Sequence, residues 1–175
     1  DAGIFQWWAA DHALMSFWRP LSELSHWVDY QLWPDSPALM HVHSLLWYGL
    51  LVWLLSRFYR QLDPATTRPG LAALIFAVSP MHLFTVIWLA ARNQLIAGCL
   101  IVLILMSFHR WRQGRGLAYG LLSMFLMAIG LAAAEAAVAA MGYLVAYLLV
   151  LEPRHTRWRI RFGALLPFLA LVVAW

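Results

Sequence analysis

Lysine is missing from these 175 residues: all twelve basic side chains are arginine, set against eight acidic ones. Charge as a whole is scarce at 11%, well under the roughly 25% of soluble domains, which excludes an ordinary soluble domain. Cysteine is nearly absent too. Cys99 stands alone inside an apolar run, so neither a disulfide framework nor a cysteine-based metal site is available. What fills the gap is 63% hydrophobic residues and a mean hydropathy of +0.71, the composition of an integral membrane protein. A pI of about 9.7 suggests nucleic acid at first sight. The arginines, however, cluster at the ends of apolar runs, where membrane orientation explains them. Nucleic acid is set aside as a partner, and membrane lipids are expected.

The chain opens at Asp1 with neither Met nor a charged leader, and it ends at Trp175 inside an apolar run of 14 residues from Phe162. A spanning helix needs roughly 20 residues. The expectation is a piece of a larger polytopic protein, an all-α helical bundle truncated at both ends. Residues 1–36 carry Asp1, Asp11, Glu23, Asp29 and Asp35 and read as an outer loop with interfacial helices; residues 37–175 read as the transmembrane bundle. In the loop, Ile4 to Trp18 is aromatic and suits a helix lying on the membrane surface. Pro20 suits the first turn of a second helix, with Leu21, Leu24, Val28 and Leu32 as its apolar stripe and Ser22, His26, Asp29 and Tyr30 opposite.

Apolar runs follow over Ala38–Ser56, Gly70–Ala91, Gln94–Phe108 and Leu117–Leu151, the last 35 residues long with Glu135 as its only charge. Ten of the twelve arginines fall in three groups between these runs: Arg57, Arg60 and Arg68; Arg110, Arg112 and Arg115; Arg154, Arg157, Arg159 and Arg161. If arginine-rich loops share the cytoplasmic side, an even number of crossings separates each pair. Two crossings per interval gives about five spans and the start of a sixth. Arg92 and Glu135 then lie in outer turns, and the acidic first segment lies outside.

The stretch from Val78 to Leu95 holds a proline, a histidine and an arginine between apolar runs, residues that are expensive in hydrocarbon unless they line a cavity or reach an interface. On a helix after Pro80, the residues Met81, Thr85, Trp88 and Arg92 share one face, with His82 at its edge. Arg19, His41, His82, Arg92 and Glu135 are thus expected at one membrane level with Asp1. His41 and His43 form a His-x-His, but positions i and i+2 of a helix face apart, which argues against a chelating pair.

In this order, Trp18-Arg19-Pro20, His41 heading a span, Ser79-Pro80-Met81-His82 running through Trp88 to Arg92, and Ala134-Glu135 entering an Ala-rich span resemble the GT-C fold of membrane glycosyltransferases. The likeness is to protein O-mannosyltransferase-like enzymes, in particular the tetratricopeptide-linked transmembrane O-mannosyltransferases and their bacterial counterparts. It covers nearly the whole chain. Two family positions differ: Phe84 stands where relatives carry Glu, and Ala134 where they carry Lys. Ser44 and Tyr48 replace the family's Asn and second His.

The resemblance implies transfer of a sugar from a polyprenyl-phosphate carrier to an acceptor hydroxyl on a protein or glycan, at the outer face of a membrane and, for a bacterial-type relative, the periplasmic face of the inner membrane. It assigns Asp1 as catalytic base. Arg92 first and Arg19 second would neutralise the departing phosphate; His41 and His82 would bind phosphate or sugar; Glu135 would orient a hydroxyl or hold an arginine. No cofactor is certain, and a divalent metal stays open. A transporter or flippase of lipid-linked sugars, or a non-catalytic binder of them, is the alternative, since intramembrane Arg, His and Glu also mark translocation paths.

Overall fold

The computed structural model describes residues 19–152 and 158–175, and every regular element among them is helical. In chain order these are α1 (Pro20–Leu32), α2 (Pro37–Leu62), α3 (Arg68–Val78), α4 (Leu83–Ile87), α5 (Arg92–Arg112), α6 (Leu117–Leu131), α7 (Ala139–Val150), α8 (Trp158–Gly163) and α9 (Leu166–Ala174). Asp1 and the expected Ile4–Trp18 surface helix lie outside the described residues, as do Arg154 and Arg157.

The centre of the bundle is α5. Of its best apolar window 67% is buried, against 22% for α2, because α5 is covered by α2, α6 and α7 while α2 presents one side outward. Leu95, Ile96, Ala97, Val102, Ile104 and Phe108 of α5 form the spine of the core. Contacts fix the direction of each neighbour. Arg92 meets Ser44 and Cys99 meets the Trp47 carbonyl, numbers rising together, so α2 and α5 run parallel. Ser123 donates to the Ile104 carbonyl at 3.0 Å and Gly130 lies beside Leu100, so α6 returns antiparallel. His109 meets Tyr147 and Arg112 meets Glu152, so α7 again runs with α5.

Two parallel helices need a return path between them, and the bent pair α3–α4 supplies it. Pro80 has no N–H to continue α3, and the two halves meet at 49°. The Tyr48 hydroxyl of α2 donates to the freed Ala77 carbonyl at 3.0 Å, so the break is satisfied from within the bundle. The single helical face expected for Met81, Thr85, Trp88 and Arg92 does not form. Trp88 is extended (φ −86, ψ 108) and a 3-10 turn, Leu89–Ala91, separates α4 from α5, so Arg92 begins a new helix.

Among the described residues two helices, Pro37–Leu62 and Leu89–Arg112, are long and apolar enough to cross a membrane, and the bent pair adds a third if its halves form one span. The expected two spans in the last interval appear as two shorter apolar helices, Leu117–Leu131 and Glu135–Val150. The outward faces of α2, α3 and α6 carry Leu46, Leu50, Leu74, Ile75, Val78, Leu121 and Phe125 exposed, apolar surface of the kind that lipid or protein covers.

Candidate functional site

The candidate site is built on α1, which is amphipathic with its polar side inward. Leu24 and Leu32 are more than half exposed, whereas Ser22 and Asp29 are buried. Ser22, Ser25 and Asp29 recur at i, i+3 and i+7, one stripe facing the bundle. The orphan N–H of Leu21 donates to the Ala132 carbonyl at 3.2 Å, and the Ser22 hydroxyl to the Ala133 carbonyl at 2.6 Å. The first turn of α1 is thereby fastened to the turn after α6.

That docking brings Arg19 to Glu135 across 116 residues of sequence. Arg19 Nε donates to both carboxylate oxygens at 3.0 and 2.9 Å, and Nη2 donates to Oε2 at 2.6 Å. These hydrogen bonds hold the Glu135 carboxyl below its ordinary pKa, against a smaller opposing effect of burial. The arginine that Glu135 holds is Arg19.

The last turn of α1 carries a second node. Arg92 is wholly buried, at 0% exposure, and each of its three guanidinium nitrogens has a partner inside the protein. Nη1 donates to Asp29 and, at 3.3 Å, to the Ser25 hydroxyl. Nε donates to Ser44 at 3.0 Å and Nη2 to the Met40 carbonyl at 2.8 Å. A guanidinium open to a phosphate, as expected at position 92, meets a different geometry. A cation at the first residue of α5 is opposed by the helix dipole, and the buried Asp29 carboxylate offsets it.

Asp29 also accepts from His43 Nδ1 at 2.6 Å, while His43 Nε2 accepts from the Trp47 indole N–H at 3.1 Å. An indole nitrogen only donates, so the proton of the neutral imidazole is assigned to Nδ1. His26, half-buried nearby, has its pKa lowered, first by burial and then by the Arg92 charge, with Asp29 opposing.

The remaining expected residues stand around these nodes. His41 lies in the first turns of α2, half-buried and without a hydrogen bond among the described residues. His82 packs its ring against Phe76 at 4.1 Å and Tyr48 at 5.8 Å. Beside it, Leu83, Phe84, Ile87 and Trp88 line an apolar hollow of about 590 Å³. Arg19 and Glu135 are brought together. Arg92 sits about 15 Å further along, by the rise of α1 from Arg19 to Asp29. Asp29, His43, Ser25, Ser44 and Trp47 were not anticipated as a unit. The spacing of Ser22, Ser25 and Asp29 along one face of α1 was the available signal. Among the described residues no group of three or more His, Cys, Asp or Glu is placed to hold a metal.

Against known proteins, the chain is 27% identical over 124 residues to protein O-mannosyl-transferase Tmtc1 of Drosophila melanogaster, a match covering 71% of the chain and 14% of that protein. The chain therefore spans about a seventh of that relative's length. No protein-family model and no solved structure matches it.

Proposed function

We propose that the chain is part of a membrane-embedded, GT-C-like glycosyltransferase that moves a sugar from a polyprenyl-phosphate carrier to an acceptor hydroxyl at the outer face. In this reading α2, the α3–α4 pair, α5, α6 and α7 are five successive crossings, α9 begins a sixth, and residues 1–36 form the outer loop. The alternating directions of these helices support that topology, and the similarity to a protein O-mannosyl-transferase supports the reaction class.

The observation that carries the reading is the bidentate Arg19–Glu135 pair at the same end of the bundle as His41 and Arg92. The charge and planar fork of a guanidinium suit a phosphate leaving group, the role assigned to Arg19 in this reading. His41 and His82 serve as hydrogen-bonding partners of phosphate or sugar. Asp1 takes the proton of the acceptor hydroxyl, a contribution of about 10²- to 10⁴-fold in rate. The hollow at Leu83–Trp88 suits an isoprenoid tail. Arg92 serves by holding Asp29, and through it α1, in place.

The test is transfer of labelled mannose from polyprenyl-phosphate mannose in membranes containing the full-length protein. Transfer that falls at least about 10²-fold in Asp1→Asn and Arg19→Gln is expected. Absence of transfer, or variants that transfer normally, overturns the reading. A flippase of lipid-linked sugars is favoured by the broken α3–α4 helix alone. It would move the labelled lipid between leaflets without forming a glycosylated product.

A further inference from the structure

At the end of the bundle away from Arg19 and Arg92, the geometry points to a second lipid site, one that binds an anionic phospholipid. The inference rests on the membrane-spanning reading but not on sugar transfer. All described arginines except Arg19 and Arg92, eight in number, lie at this end, against Asp63 and Glu152. Four of them lie over aromatic rings: Arg57 on Trp53, Arg110 on Tyr119, Arg112 on Trp111 and Arg161 on Trp158, each 5.6 to 5.7 Å from the ring centre. Aromatic rings and cations so paired belong at the headgroup level of a bilayer.

An apolar groove leads to this end. Two adjoining cavities of about 440 and 300 Å³ share Phe58, Leu105 and Tyr143, and together they follow α2 from Leu51 to Leu62. That is about 17 Å by helical rise, close to half of the roughly 30 Å hydrocarbon core. The groove thus has the depth of one leaflet, and it is the arginine-side leaflet.

Next to its mouth lies an unsatisfied polar atom. Leu151 lines the groove, and the next residue, Glu152, accepts from Arg112 and offers its carbonyl to Arg161 Nη2 at 2.6 Å. Arg161 is 5% exposed, yet its Nε has no hydrogen-bond partner among the described residues. A buried, unpaired guanidinium N–H is costly and asks for an acceptor. A phospholipid phosphate supplies one, with an acyl chain in the groove and the surplus of positive charge matched by an anionic headgroup.

The experiment is native mass spectrometry of the delipidated full-length protein titrated with phosphatidylglycerol or phosphatidylcholine. The wild type is expected to retain phosphatidylglycerol at least fivefold more tightly. Arg161→Gln is expected to erase that preference. Ala146→Phe, at an exposed position of the groove wall, is expected to reduce retention of phosphatidylglycerol fivefold with helical content unchanged. Arg60→Gln, whose side chain bonds only within its own helix at Ser56, should change retention less than twofold. Equal retention of the two lipids by the wild type overturns the inference. So does normal phosphatidylglycerol retention in a folded Ala146→Phe protein, which decides the matter even if Arg161→Gln does not fold.

Discussion

Arg92 and Arg112 stand at opposite ends of α5 and each meets a carboxylate, yet the two pairs are held for different reasons. Arg92 is at the helix N-terminus, where the dipole opposes a cation; Arg112 is at the C-terminus, where it is favoured. Arg92 is sealed from solvent with one carboxylate, Asp29, to neutralise it. Arg112 keeps 15% of its side chain exposed, and Glu152 beside it is also served by Arg161 through its carbonyl. One end therefore rests on an arginine and a carboxylate buried together, and the other on a pair still partly open to solvent.

The comparison breaks most sharply on deletion of each cation. Arg92→Met leaves the Asp29 charge buried and uncompensated and should cost about 3–5 kcal/mol. Arg112→Met, with other arginines near Glu152, should cost about 1–3 kcal/mol. Reversible denaturant unfolding in micelles measures both, and equal losses would show that the two ends are alike.

The arginine end is closely packed all the same. A Cβ at Gly120 would lie 2.8 Å from the Trp111 ring, so Gly120→Ala should cost about 1–3 kcal/mol by overpacking the α5–α6 hairpin. Gly142, with nothing within 4 Å, should tolerate the same change within about 0.5 kcal/mol.

A third difference is pH dependence. His26, near Arg92 and Asp29, has a folded pKa below its ordinary value, so the unfolded chain takes up its proton first as pH falls. Its contribution to stability is complete above that ordinary value and declines below it. The melting temperature should therefore drop on moving from pH 7.5 to 5.5, and His26→Asn should flatten the slope. The smallest effect belongs to Glu135. Its pair with Arg19 is partly exposed and worth at most about 1 kcal/mol. Because its pKa is depressed, that contribution is complete above the ordinary carboxylate value and disappears only as pH falls through the lowered one. Glu135→Gln should barely move the melting temperature.

Much of the helical layout was legible from hydropathy and punctuation. Pro20 opens a helix and Pro80 breaks the second apolar run, both because backbone chemistry acts locally. The arginine clusters placed three segments at one end because charge avoids hydrocarbon whatever the packing. The pairing of Arg19 with Glu135 and the burial of Arg92 were not legible. Both depend on which side of α1 faces inward, and in the proposed setting at a membrane boundary its outer side would meet apolar surroundings as well. Periodicity finds the two faces of such a helix without saying which is buried. His43 and Trp47 escaped for a related reason: they matter through Asp29, which local sequence places only on its own helix.

The central claim is that Asp29 and Arg92 fasten α1 to the bundle and thereby deliver Arg19 to Glu135. Amide hydrogen exchange across residues 20–32 tests it directly. The account predicts that Arg92→Met strips protection from the whole of α1, including the Leu21 N–H bonded to Ala132, while Glu135→Gln leaves α1 protected. An α1 that stays protected in Arg92→Met would contradict it.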